Sequence, residues 1–225
     1  MSRVAYPTDS DIETFVVSCG ITVPSTFSFA GYGAAASDTW EQTTGWLPFL
    51  RDSVATARYF NPPGTQPINK QWSNYQYGGG RILNLYAGIP TLADLTSVVC
   101  TGTVNLPTTN FFMAPINSPN IGRPFTRIEF IVPYWGTANT TVVTANWGFN
   151  ATIPEDAWQA ILRIGANLAA FDLLEAILLS PDTVKIGSAS VTQDTSKVSM
   201  ASAPWSTYAK RVADRYMFTN QGLLP

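Results

Sequence analysis

The chain has 225 residues, of which 45% are hydrophobic and only 12% charged, with a formal net charge of −2 and no histidine. The length suits one domain with a core large enough to need no staples. The missing histidines exclude a Ser-His-Asp triad, histidine acid–base chemistry and histidine metal sites. The two cysteines, Cys19 and Cys100, make no disulfide framework; they could form one bridge, and the simpler reading is two free buried thiols. With no basic cluster at either end, there is little to neutralise nucleic-acid phosphates. A charged fraction of about 25% is usual; here Thr, Ser, Asn, Gly and Pro fill the gap, which favours strands joined by polar loops and a surface partly covered in an assembly.

Met1 to Pro7 lacks the apolar stretch of a signal peptide. The longest apolar run, Ile161 to Leu179, is broken by Arg163, Asn167, Asp172 and Glu175, so no membrane insertion is expected. In chain order, the β-branched run 11–23 predicts a strand ending before Pro24. Residues 31–37 are small and read as a loop. Pro48, Phe49, Leu50, Val54 and Ala57 predict a short helix within 38–60, stopped by Asn61-Pro62-Pro63-Gly64. Residues 75–88 read as an aromatic stretch, a glycine kink at Gly78-Gly79-Gly80 and a strand. Further strands are expected over 97–104, 126–134 and 140–149. Pro154, Glu155 and Asp156 open a helix or loop lasting to about residue 167, and the apolar run 171–179 then reads as a buried strand. A strand over 184–192 and a helix over 204–217 complete the chain.

That reading amounts to roughly eight strands with two or three short helices, an all-β sandwich pattern that fits an eight-stranded β-jelly roll. One domain over 1–225 is expected: an N-terminal strand, loop and helix over 1–70, the main strands over 71–195, and a C-terminal extension over 196–225.

The segment Arg127-Ile128-Glu129-Phe130-Ile131-Val132-Pro133-Tyr134-Trp135-Gly136 has a strand pattern halted by a proline that cannot donate to a ladder. With Gly79-Gly80-Arg81-Ile82 upstream and the two apolar runs joined by Ser180-Pro181-Asp182 downstream, it resembles capsid proteins of picornaviruses, dicistroviruses and the marine and plant picorna-like viruses. The resemblance runs loosely over 70–195. It implies a jelly-roll coat subunit of a small icosahedral positive-strand RNA virus, made in the host cytoplasm and located in the virion. Its partners would be capsid subunits of the same and different sequence, an enclosed RNA genome met with little basic contact, and a host receptor. It implies no enzyme and no cofactor. A subunit interface is then expected at Val132, Pro133, Tyr134, Trp135, Gly136 and Asn139. The aromatic C-terminal segment adds Trp205 and Tyr208, because aromatics anchor interfaces and termini fray unless tied down. The dipeptide Gln221-Gly222 looks like a polyprotein processing site.

A carbohydrate-binding or adhesin-like β-sandwich module is the alternative, with Trp135, Trp147 and Trp158 as a sugar platform against a default of core packing. A small hydrolase is the third reading, and the missing histidines count against it. Asp9, Asp11 and Glu13 would share one face if extended and could hold a calcium ion; a solvated face is the simpler reading. Asn139 and Asn150 begin glycosylation sequons.

Overall fold

The computed structural model describes residues 2–61, 77–100, 104–136, 140–179 and 207–218. In chain order the elements are β1 (Ser2–Arg3), α1 (Asp9–Ser18), α2 (Tyr32–Thr44), β2 (Thr56–Phe60), β3 (Tyr77–Ile89), β4 (Leu95–Cys100), β5 (Val104–Asn105), β6 (Phe111–Ala114), β7 (Phe125–Gly136), β8 (Thr141–Ala145), β9 (Ile153–Pro154), α3 (Glu155–Leu179) and α4 (207–216). They fall into two compact units: the described residues of 1–45 and 153–218, and those of 46–152.

The first unit is helical. Its α1 begins at a reciprocal cap, in which the Asp11 N–H donates to the Thr8 hydroxyl at 3.2 Å and the Thr8 N–H donates to the Asp11 carboxylate at 2.8 Å. Ile12 and Val16, one helical turn apart, bury one face. Gly31, at φ 94°, precedes α2, and Gly45, at φ 76°, ends it; only glycine takes such values readily. Between them, Ala34, Ala35 and Ala36 are the strongest helix formers. The 25-residue α3 buries Ala157, Ile161, Ala166, Ala169 and Leu173 at helical spacing. At Gly165 it crosses so close to α1 that an added Cβ would lie 2.3 Å from Ile12 Cδ1. Both α1 and α2 pack on α3. β1 and β9 pair antiparallel, with Arg3 opposite Ile153. Arg3 reaches Glu155 at 3.3 Å, and its guanidinium lies 4.4 Å from the Trp158 ring centre.

The second unit holds two open sheets, ordered β2-β8-β4-β5 and β3-β7-β6. Every pairing is antiparallel. One apolar core joins them, with Phe60, Val98 and Val143 from the first sheet and Leu85, Ile128 and Phe130 from the second. β8 shows the period-two burial of a half-buried strand, with Thr141, Val143 and Ala145 inward.

These elements overturn the all-β expectation. Among the described residues there are four helices, 39% of residues are helical and 28% lie in the seven strands of the two open sheets. The fold is mixed α/β and not an eight-stranded jelly roll. The strand expected over 11–23 is the helix α1, because the cap at Thr8 and Asp11 and the one-turn spacing of Ile12 and Val16 outweigh β-branching. The loop expected over 31–37 is the first half of α2. The helix expected around Pro48 is absent. The chain there passes through a cis Leu47–Pro48 bond and a parallel bridge from Leu50 to Asn150, and then enters β2. The strand expected over 171–179 is the end of α3. The strand expected over 184–192 lies outside the described residues. β3 and α4 stand where strand and helix are expected, while β8 is shorter than 140–149.

Candidate functional site: an apolar outer face at the β7 bulge

On β7, Ile128 and Phe130 point into the core, while Arg127, Glu129 and Ile131 alternate with them toward the outer face. Register brings further side chains onto that face. Glu129 stands opposite Ile82 on β3 and opposite Phe112 on β6, forming one row across all three strands. The next row is Asn84, Arg127 and Ala114. Arg127 Nε meets Glu129 Oε1 at 2.7 Å, so the two charges on the face neutralise each other.

The pairing then breaks. From Ile82 to Gly80 on β3, the partner on β7 moves from Glu129 to Tyr134. β7 therefore carries extra residues through Pro133, and a bulge re-aims side chains. Regular alternation would bury Val132 if Ile131 were exposed. Here both are half exposed, Ile131 at 54% and Val132 at 55%. Ile82 at 49% and Phe112 at 42% flank Glu129 across the strands, and Ile131 follows on the same face of β7. Proline does not end this strand, contrary to the reading of Val132-Pro133-Tyr134 as a strand end: β7 continues to Gly136, which pairs with Tyr77. The bulge absorbs the missing N–H.

Polar clusters elsewhere are tied up in the fold. In the second unit, Asp94 is 4% exposed; it accepts from Arg51 Nη1 at 2.7 Å and from the Thr91 N–H and hydroxyl at 3.0 and 2.7 Å. Arg58 lies 4.7 Å from the Trp147 ring centre and donates to the Leu47 carbonyl at 3.0 Å. Burial pushes the Asp52 carboxyl up and the Arg58 guanidinium down, and each charge partly offsets the effect on the other. In the helical unit, tyrosines bind carboxylates of other helices: Tyr32 to Asp172 at 2.5 Å, Tyr216 to Asp156 at 2.8 Å, and Tyr6 to Glu41. Burial, with Asp172 second, pushes the Tyr32 hydroxyl up to about 12. Burial and Asp156 push Tyr216 higher still.

Asp9, Asp11 and Glu13 lie on a helix and do not converge on a cation. Asp9 accepts from the Gly33 and Gly31 N–H groups at 2.7 and 3.0 Å, which hold its carboxyl below the usual range. Asp11 caps α1. No group of three or more acidic or thiol residues positioned to bind a metal occurs among the described residues. Both cysteines are free, but only Cys100 is buried; Cys19 is exposed.

Of the expected interface residues, Val132 lies in the exposed cluster, and Pro133, Tyr134, Trp135 and Gly136 continue β7 beyond it. Tyr208 lies in the helical unit with Arg163 4.1 Å from its ring centre. Asn139 and Trp205 fall outside the described residues, as does Gln221-Gly222. Trp147 and Trp158 are both buried, as core packing requires of them. Ile82, Ile131 and Phe112 escaped the sequence reading as site residues. Their outward positions alternate with core positions, but cross-strand register is not written in any one segment.

Comparison with protein-family models, with curated proteins and with solved structures gives no match. The mixed α/β fold contradicts both the jelly-roll coat subunit and the pure β-sandwich carbohydrate or adhesin module.

Proposed function

We propose that this chain acts by binding rather than by catalysis, and that a second copy of itself docks on the outer face of the β3-β7-β6 sheet. The observation that carries this reading is the pair Ile131 and Val132, both half exposed at the bulge, on the strand where Ile82 and Phe112 flank Glu129. Exposed large apolar side chains gathered on one sheet face often mark an interaction site. The face suits its own copy because Arg127 and Glu129 already neutralise each other, so two such faces meet without stranding an unpaired charge. A self-complementary patch is also what a two-fold dimer requires. The low charge of the chain, 12%, favours association in the same direction.

Sedimentation velocity over a range of concentrations tests the reading. Ile131→Glu introduces an unpaired charge at the centre of the patch. The wild-type chain should shift from monomer to dimer as concentration rises, and Ile131→Glu should remain monomeric with unchanged circular dichroism. A wild-type chain that stays monomeric throughout, or a dimer unaffected by Ile131→Glu and by Phe112→Glu, overturns it.

A further inference from the structure

Arg127 and Glu129 stand on the outer face of β7 with one inward residue, Ile128, between them, a spacing of about 7 Å along a strand. A single contact joins them, Arg127 Nε to Glu129 Oε1 at 2.7 Å. A guanidinium carries more donors than that contact uses, and a carboxylate has a second oxygen. Among the described residues, no other hydrogen bond or ion pair reaches either side chain. The two side chains are 36% and 24% exposed, so the Nη groups of Arg127 and Oε2 of Glu129 are left to solvent. A partner that covers this face strips that solvent, and each spare donor and acceptor then needs a replacement.

We infer that the second copy supplies the replacement from the same two residues, Arg127 of each copy bonding Glu129 of the other, and that this exchange sets the axis of the dimer. The inference rests on self-docking at the β7 face. A two-fold axis that joins two sheets face to face lies in the plane between them. With the axis along β7, Arg127 meets the partner's Arg127 and Glu129 meets the partner's Glu129. With the axis across β7 at the level of Ile128, the two strands oppose antiparallel and Arg127 lies over the partner's Glu129. The reciprocal contact then follows from symmetry. Sheets packed face to face stand about 10 Å apart, a gap that an arginine and a glutamate reaching from opposite sides span. The fork of Nη groups suits a carboxylate, and Ile82 and Phe112 border the exchanged pair on the two neighbouring strands. Like charges opposed across a dry contact are repelled, so the charges select the axis across β7. The same two residues thereby make the face specific for its own sequence.

The test exchanges the two residues within one chain. The variant with both Arg127→Glu and Glu129→Arg keeps the pair inside each copy and stays self-complementary, so it should dimerise as the wild type does. The ¹⁵N-labelled wild-type chain is mixed with this unlabelled variant, equilibrated and read by native mass spectrometry. Both homodimers should be present, with the heterodimer at least about tenfold below its random share, because a mixed dimer sets like charges against each other. The single variants give a second reading: Arg127→Glu and Glu129→Arg should each weaken self-association at least about tenfold and restore it when mixed together. A heterodimer at its random share means that the pair stays within each copy, and a heterodimer in excess means that the axis runs along β7. Either result overturns the inference and leaves self-docking in place. A folded exchange variant that stays monomeric, or single variants that dimerise as the wild type does, also overturns it. A wild-type chain that stays monomeric overturns self-docking and this inference with it.

Discussion

Removing the Arg51 side chain should destabilise the two-sheet unit by about 2–3 kcal/mol. Asp94 has a side chain only 5% exposed, and Arg51 Nη1 sits 2.7 Å from its Oδ1. Breaking a fully buried pair by deleting one partner costs about 3–5 kcal/mol, because a charge is left desolvated. Two features lower that figure here. The Arg51 side chain is 40% exposed, so solvent already screens the pair, and Asp94 Oδ2 keeps its bonds from Thr91. Urea unfolding of Arg51→Ala measures the loss, and amide exchange in β4 and β8 assigns it to the unit that holds the pair. Asp94→Asn keeps the shape and leaves Arg51 free to reach water, so it should cost less than Arg51→Ala. The double variant should cost less than the sum of the two, with a coupling of about 1 kcal/mol or more. If Arg51→Ala stays within about 0.5 kcal/mol of wild type, the range of an ordinary surface change, the desolvated-charge reasoning is wrong.

At the crossing of α1 and α3, Gly165→Val should destabilise the helical unit by about 1–3 kcal/mol through overpacking, because a Cβ there already meets Ile12 Cδ1 at 2.3 Å; thermal unfolding should show part of the loss recovered by adding Ile12→Ala. Tyr32, pushed up to about 12, adds stability that is full below pH 10 and is lost as pH rises through that value; pH-dependent urea melts of Tyr32→Phe should be flatter between pH 10 and 12 than those of the wild type, and identical slopes would contradict the assignment. In the native protein, Cys19 should react promptly with a thiol reagent and Cys100 only on unfolding, because burial also raises the Cys100 thiol; two fast thiols would refute its burial.

How far the fold could be read in the sequence depends on which signal dominated each segment. β3 was readable from the aromatic stretch and the glycine kink that precede Ile82-Leu83-Asn84-Leu85, and β7 because Arg127 to Phe130 alternates. In α1, the N-cap Thr8 lies three residues before the run 11–23 and its capping partner Asp11 opens that run, so Ile12, Val16 and Val17 read as β-branched strand residues when they lie on a helix. In α2, Gly31 and Gly33 masked three alanines; Gly33 is required by close packing, since a Cβ would sit 2.8 Å from the Pro7 carbonyl oxygen, and not by a loop. Residues 171–179 continue a helix already begun at Glu155, and a short apolar run does not reveal its period. Within the site, Val132 was visible through its proline neighbour. Ile82 and Phe112 come from strands far apart in the chain, and the bulge that exposes Ile131 beside Val132 arises from a register mismatch between β3 and β7. Neither has a local sequence signature.

The most direct test of self-docking at the β7 face is an isotope-filtered nuclear Overhauser experiment on a mixture of methyl-labelled and unlabelled copies of the full chain. The predicted result is a set of intermolecular contacts at the Ile82, Ile131 and Val132 methyls and the Phe112 ring, lost in Ile131→Glu. An associating sample with intermolecular contacts elsewhere and none at these four residues would contradict it.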